Sequence, residues 1–250
     1  MRNRPGERSR AILRESQGRT IRRNLVVWVC LFLFAVILAE CIRFEPGPAT
    51  LRAFLIGFLA AATLATFAWM VFVMSGSYGH SMGRLGEEAT ADSVASFRRR
   101  LKGWRIVNGI SLAGHGDVDH VLIGPGGVFV IESKWTTSDC ELVGGQIRGL
   151  MGREPIAQAK DGARTIERML RYGRDRFDAT VQPVVIIWGP GGIHLAGGWT
   201  RADGVIVCEG RQVGLWLRQF DQVTLGKAQI RAMAAVLEGQ VARQLAPATA

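Results

Sequence analysis

The sequence predicts an α/β domain, a mixed β-sheet flanked by helices, carried behind a two-helix transmembrane hairpin. Three observations predict it. Two long, almost uncharged apolar runs lie near the N-terminus. The composition turns mixed after Met74. Short β-prone runs then alternate with helical patterns. A chain of 250 residues has room for one ordinary domain and an appendage.

Residues 1–24 form a basic tail with eight arginines against Glu7 and Glu15, a surplus of six out of the chain's net +10. The high pI therefore reports the tail more than the domain, and it is weak evidence for a nucleic-acid-binding face. Anionic lipid headgroups are an equally good partner for such a tail.

Residues 25–42 carry one charge, Glu40, and at ~1.5 Å per residue span roughly 27 Å, enough to cross the hydrocarbon core. Residues 53–74 carry none and span about 33 Å. Pro46, Gly47 and Pro48 enforce a turn between them, so 25–74 reads as a helical hairpin in the bilayer. The first run is long for a signal peptide, and Ala39-Glu40-Cys41 is a poor cleavage site. The connector has only Arg43 and Arg52, so the arginine imbalance puts the tail, both termini and residues 75–250 in the cytoplasm, at the cell (inner) membrane. Cys30, Cys41, Cys140 and Cys208 show no metal-site or disulfide spacing and read as free thiols.

Residues 75–82 read as a linker and 83–245 as the soluble domain, with LAPATA fraying at the end. A helix is expected from about 84 to 101. Strands are expected at 104–112, 117–123, 128–135, 181–188 and 204–208, with helices at about 155–177, 210–220 and 225–244.

Gly124-Pro125-Gly126-Gly127 separates two apolar strands, which reads as a hairpin. A symmetric loop of two or four residues sets Ile123 opposite Val128, Asp119 opposite Glu132 and Asp117 opposite Lys134. Directly opposed Cβ atoms lie roughly 5 Å apart, so Asp119 and Glu132 can share a divalent cation with an ammonium nearby. The alternative is an Asp117–Lys134 salt bridge with the other two carboxylates solvated at the rim. Both strands are apolar on both faces, which marks interior strands, where unpaired charges are costly.

This segment, 117–135, closely resembles the central motif of the NERD (nuclease-related domain) family, assigned to the PD-(D/E)xK nuclease superfamily. Asp119 and Glu132-Ser133-Lys134 match the superfamily's Asp and Glu-x-Lys. Gly83-Arg84-Leu85-Gly86-Glu87 resembles the family's Gly-x-x-Gly-Glu helix, and Pro155-Ile156-Ala157-Gln158 its later Pro-x-x-Gln. The resemblance implies a restriction-endonuclease-like sheet and hydrolysis of nucleic-acid phosphodiesters, DNA before RNA. It implies Mg²⁺ or Mn²⁺ held by Asp119 and Glu132 with Glu87, and catalytic roles for Lys134 and Gln158. On a helical wheel Glu87 falls about 20° from Val94, on the buried side, and Glu88 points away. Gln158 falls about 100° from the centre of its helix's buried face, where an exposed first-turn side chain is the competing expectation. His120 reads as a hydrogen-bonded core histidine. His80, His115 and His194 have no evident partners.

Two rival classes share the fold. A catalytically silent nucleic-acid-binding module would use Arg98, Arg99, Arg100 and Lys102 against phosphates. A protein scaffold on the membrane would need neither these nor the Asp…Glu-x-Lys set.

Overall fold

The computed structural model describes residues 17–44, 46–74, 77–100, 103–112, 116–150, 152, 154–173, 175–220 and 222–245, without the side chains of residues 77, 78, 80, 98–100 and 116. The arginines before residue 17, the Arg98–Arg100 side chains, Lys102, His115 and the His80 side chain lie outside the described residues. The chain divides after Ser81 into two compact units.

In the first unit, α1 (Leu25–Phe44) and α2 (Ala49–Met74) form a hairpin, and residues 17–23 are helical ahead of it. Both helices are long and apolar enough to cross a membrane. They extend a few residues past the expected spans into the connector, because only Pro46–Pro48 breaks it. Trp28 packs edge-on to Phe67 with ring centroids 4.8 Å apart and is buried between the helices. Most of the other large apolar side chains face outward: Val26 is 76% exposed and Phe54 67%. Thr63 donates back to the Leu59 carbonyl at 2.8 Å, so its hydroxyl is satisfied within the helix.

The next helix, α3 (Ser77–Arg100), starts seven residues before the expected Arg84, so the stretch read as a linker is helical from Ser77 onward. It contains no proline, and isolated glycines such as Gly79 and Gly83 cost only about 1 kcal/mol each in a helix.

The second unit is built on a six-stranded sheet ordered β1-β2-β3-β6-β9-β8. Its strands are β1 (Arg105–Leu112), β2 (Gly116–Gly124), β3 (Gly127–Trp135), β6 (Val181–Trp188), β8 (Trp199–Ala202) and β9 (Val205–Glu209). Strands β1, β2 and β3 meander antiparallel, β3, β6 and β9 run parallel, and β8 returns antiparallel. The sheet is thus mixed, as expected. Beside it lies a small three-stranded sheet, β5-β4-β7, from β4 (Asp139–Val143), β5 (Gln146–Arg148) and β7 (Gly192–Ile193).

The apolar alternation of β3 assigns the layers. Val128 and Val130 pack with Ala163, Ile166 and Leu170 of α4 (Pro155–Tyr172) and with Met233 and Leu237 of α6 (Lys227–Leu245). Phe129 and Ile131 pack on the opposite face with Val94 and Phe97 of α3 and Trp216 of the short α5 (Val213–Leu217). Helices therefore cover both faces, and β2 and β3 are interior strands. Helix α4 ends at Gly173 instead of about 177. The segment expected to be helical at 210–220 is α5 between two 3-10 turns.

Candidate active site

The hairpin register follows the expected rule as far as it runs. Gly124 pairs with Gly127 around the two-residue turn Pro125-Gly126, and the ladder continues to His120 opposite Ile131. It stops there, one pair short of Asp119 and Glu132. The reason is that β2 stays with β1, where Asp117 pairs with Ser111, whereas β3 follows β6, where Lys134 pairs with Ile187. The hairpin strands part between these two commitments. The expected Asp117–Lys134 opposition is replaced accordingly: the Lys134 Nζ meets Glu132 Oε1 at 2.7 Å and donates to Gln158 Oε1 at 3.2 Å.

Parting strands leave the Ser133 N–H without a ladder partner, and Asp119 fills that place, its Oδ2 accepting from Ser133 N at 2.7 Å. The carboxylate is thereby held in the opening beside Glu132. Burial raises the Asp119 pKa well above its ordinary value of 3.8, and the negative charges of Glu132 and then Glu87 raise it further. The Ser133 N–H and the Lys134 ammonium act in the opposite direction. Glu132, Glu87 and Lys134 thus all act on Asp119, and Glu132 is only 4% exposed.

Three elements deliver these side chains. Alternation along β3 sends Glu132 and Lys134 to the α4 face. Glu87 comes from α3 on the other face. Its helix lies close to the sheet because Gly86 has no side chain: a Cβ there would sit 3.3 Å from the Lys134 carbonyl carbon and 3.4 Å from Trp135 N. One turn on, buried Thr90 pins the same approach. Its Oγ1 lies 2.8 Å from Ser133 Oγ and accepts from Trp188 Nε1 at 2.7 Å. Glu88 lies 4.0 Å from Arg84.

Gln158 arrives from the first turn of α4. Glu154 caps that helix, its Oε2 accepting from Ala157 N at 2.6 Å, and Pro155 occupies the first turn. Although Gln158 lies off the centre of the buried face, its side chain is long enough to reach Lys134 across the rim. The exposed-glutamine expectation is therefore replaced by a half-buried contact.

His120 is fully buried, with Nδ1 2.8 Å from Asn108 Oδ1. Burial, against a smaller opposing effect of the Glu87 backbone, pushes its pKa down to about 3, so the ring is neutral at physiological pH. It acts as core, as its alternation implied. His194 is exposed. Thr90 and the Ser133 backbone were not singled out in the sequence. A threonine on the buried face of α3 is the one signal that pointed to Thr90, since a buried hydroxyl needs partners.

Among the described residues, no set of three or more His, Cys, Asp or Glu side chains is gathered as a ready metal cage. The site is a crowd of carboxylates held near one ammonium, at the point where two strands separate.

No curated protein and no solved structure matches the chain. Residues 82–188, from the start of the second unit to the end of β6, match the family model of NERD, the nuclease-related domain.

Proposed function

We propose that the second unit is a metal-dependent nuclease that hydrolyses nucleic-acid phosphodiester bonds, DNA before RNA, at a membrane surface. One observation carries this reading: Asp119, Glu132 and Lys134 converge with Glu87 and Gln158 where β2 and β3 part, inside the segment that matches a nuclease-related family.

The donor set fits a hard divalent cation. Asp119 and Glu132 would hold Mg²⁺ or Mn²⁺, with Glu87 as a third carboxylate. Mg²⁺ needs only one or two protein carboxylates and keeps water and substrate oxygens for the rest, so a closed cage is not required. Burial first, and then the charges of Glu132 and Glu87, raise the Asp119 pKa, and a cation beside it would favour its ionised form. When bound, the metal would polarise the phosphoryl group and lower the pKa of an attacking water.

The chain's own residues do the positioning. The Ser133 N–H fixes the Asp119 carboxylate. Gln158 and Glu132 together fix the Lys134 ammonium, which can hydrogen-bond an attacking water and offset charge developing on phosphorus. Gln158 orients that lysine and leaves it its full charge.

Length and outward apolar surface support a bilayer location for the α1–α2 hairpin. The arginine surplus before Leu25 favours both termini on the cytoplasmic side of the cell (inner) membrane, where the second unit would meet nucleic acid. Reporter fusions after Pro48 and Ala250 test this, and an extracytoplasmic C-terminus overturns it.

The function is tested by incubating the full chain, in nonionic detergent, with labelled DNA and RNA. Degradation in Mg²⁺ or Mn²⁺ but not with chelator is expected. Nucleic-acid binding without cleavage would instead make the unit a silent binding module.

A further inference from the structure

The hairpin unit carries its own arginine-lined pocket, unrelated to the carboxylates. It has a volume of about 840 Å³ and is lined by Arg19, Thr20, Arg22, Arg23, Asn24 and Met74. Residues 17–23 are helical, so Arg19, Arg22 and Arg23 stand at i, i+3 and i+4 on one face. Three guanidinium groups on one face can offer several N–H donors to a single anion. Asn24 shapes the rim: its backbone N and its Nδ2 both donate to the Thr20 carbonyl, at 3.1 and 2.9 Å.

The pocket's place in the hairpin identifies the anion. Asn24 immediately precedes α1, and Met74 is the last residue of α2. The pocket therefore opens where both apolar helices begin or end, at the depth of lipid headgroups if the hairpin crosses a bilayer. Free phosphate needs no apolar wall, whereas a phospholipid brings its phosphate to this depth with acyl chains alongside the outward apolar side chains of α1, such as Val26 and Leu25.

We infer that the arginine pocket at the open end of the hairpin is a binding site for the phosphate of an anionic phospholipid, with Arg19, Arg22 and Arg23 as its ligands. This rests on the membrane reading of the hairpin and is independent of the nuclease reading.

The test uses the full chain in nonionic detergent, given equal amounts of phosphatidylglycerol and phosphatidylcholine, with retained lipid counted by native mass spectrometry. Phosphatidylglycerol should be retained preferentially. Each arginine near an anionic surface contributes on the order of a fivefold gain, so the combined Arg19→Gln, Arg22→Gln, Arg23→Gln variant should lose preference on the order of a hundredfold. Replacing the same three by lysine should keep most of it, and so should replacing Arg2, Arg4, Arg8, Arg10 and Arg14 by glutamine. Unchanged preference in the pocket variant, or equal loss in the tail variant, would overturn the site in favour of diffuse charge. Displacement of the lipid by millimolar inorganic phosphate would overturn the lipid as occupant. Alkaline extraction of the chain from membranes is read separately. A chain released by alkali defeats the membrane reading itself, and the pocket proposal with it.

Discussion

Replacing Lys134 by alanine separates what this side chain does for the fold from what it does for chemistry. Its ammonium is bonded to Glu132 at 2.7 Å and to Gln158 at 3.2 Å, and the Glu132 side chain is only 5% exposed. Without the ammonium, Glu132 and Asp119 face each other in a buried opening with Glu87 close by. Breaking a buried ion pair by removing one partner costs about 3–5 kcal/mol, and the quarter exposure of Lys134 puts this pair at the lower end. For a unit of this size about 3 kcal/mol corresponds to a fall in melting temperature of roughly 6–12 °C. A divalent cation on the same carboxylates should restore much of that loss. Cleavage should not be restored. Loss of one electrostatic group on the developing charge costs on the order of a hundredfold in rate or more. The assay is a melt of wild type and variant with and without Mg²⁺, alongside the cleavage rate per folded molecule. An unchanged melting temperature without metal would refute the ion-pair argument. Full activity per folded molecule would refute the catalytic one.

Other perturbations probe the neighbouring residues. Asp119→Asn should raise the melting temperature of the metal-free protein at neutral pH while abolishing metal binding by calorimetry. A raised folded pKa means that the protonated carboxyl favours the fold, a gain complete below 3.8 and lost as pH rises through the higher folded value, so the variant's advantage should shrink toward acid. Gly86→Ala gains about 1 kcal/mol of helix propensity but sets a Cβ 3.3 Å from the Lys134 backbone. Helix α3 must then shift, for a net loss of about 1–2 kcal/mol in thermal melts and weaker Mn²⁺ binding as Glu87 moves. His120, held neutral with a pKa near 3, should give no inflection near pH 6.5 in the activity profile. It should instead make the protein lose stability as pH falls from 6.5 toward 3, a loss that His120→Gln should lessen in acid melts.

Much of this was legible in the sequence because the signals were local. The two-residue turn at Pro125-Gly126 fixed a register that holds as far as His120 opposite Ile131, and the wheel of α3 put Glu87 on the side of the helix that meets the sheet. The hairpin's parting was not legible, since it depends on β3 following β6, set by residues far along the chain, while β2 stays with its neighbour β1. That is why Asp117 was expected opposite Lys134, and why the Ser133 N–H that seats Asp119 went unnoticed. Gln158 was left off-centre because a wheel ignores side-chain reach. Two short hairpins were missed despite readable turns. Gly144-Gly145 joins β4 to β5 and Asp203-Gly204 joins β8 to β9, all four with positive φ; β9 was expected, but β4, β5 and β8 are too short for alternation to register. The early start of α3 went unread because its glycines resemble a linker when packing is unknown.

Asp119 and Glu132 are proposed to form a metal-dependent phosphodiester-cleaving site. The most direct measurement is single-turnover cleavage of labelled DNA and RNA by the full chain in Mg²⁺, comparing wild type with Asp119→Asn and Glu132→Gln. The account predicts cleavage by wild type that chelator abolishes, and none above background in either variant while both remain folded. Equal cleavage by all three, or no cleavage by folded wild type in either Mg²⁺ or Mn²⁺, would contradict it.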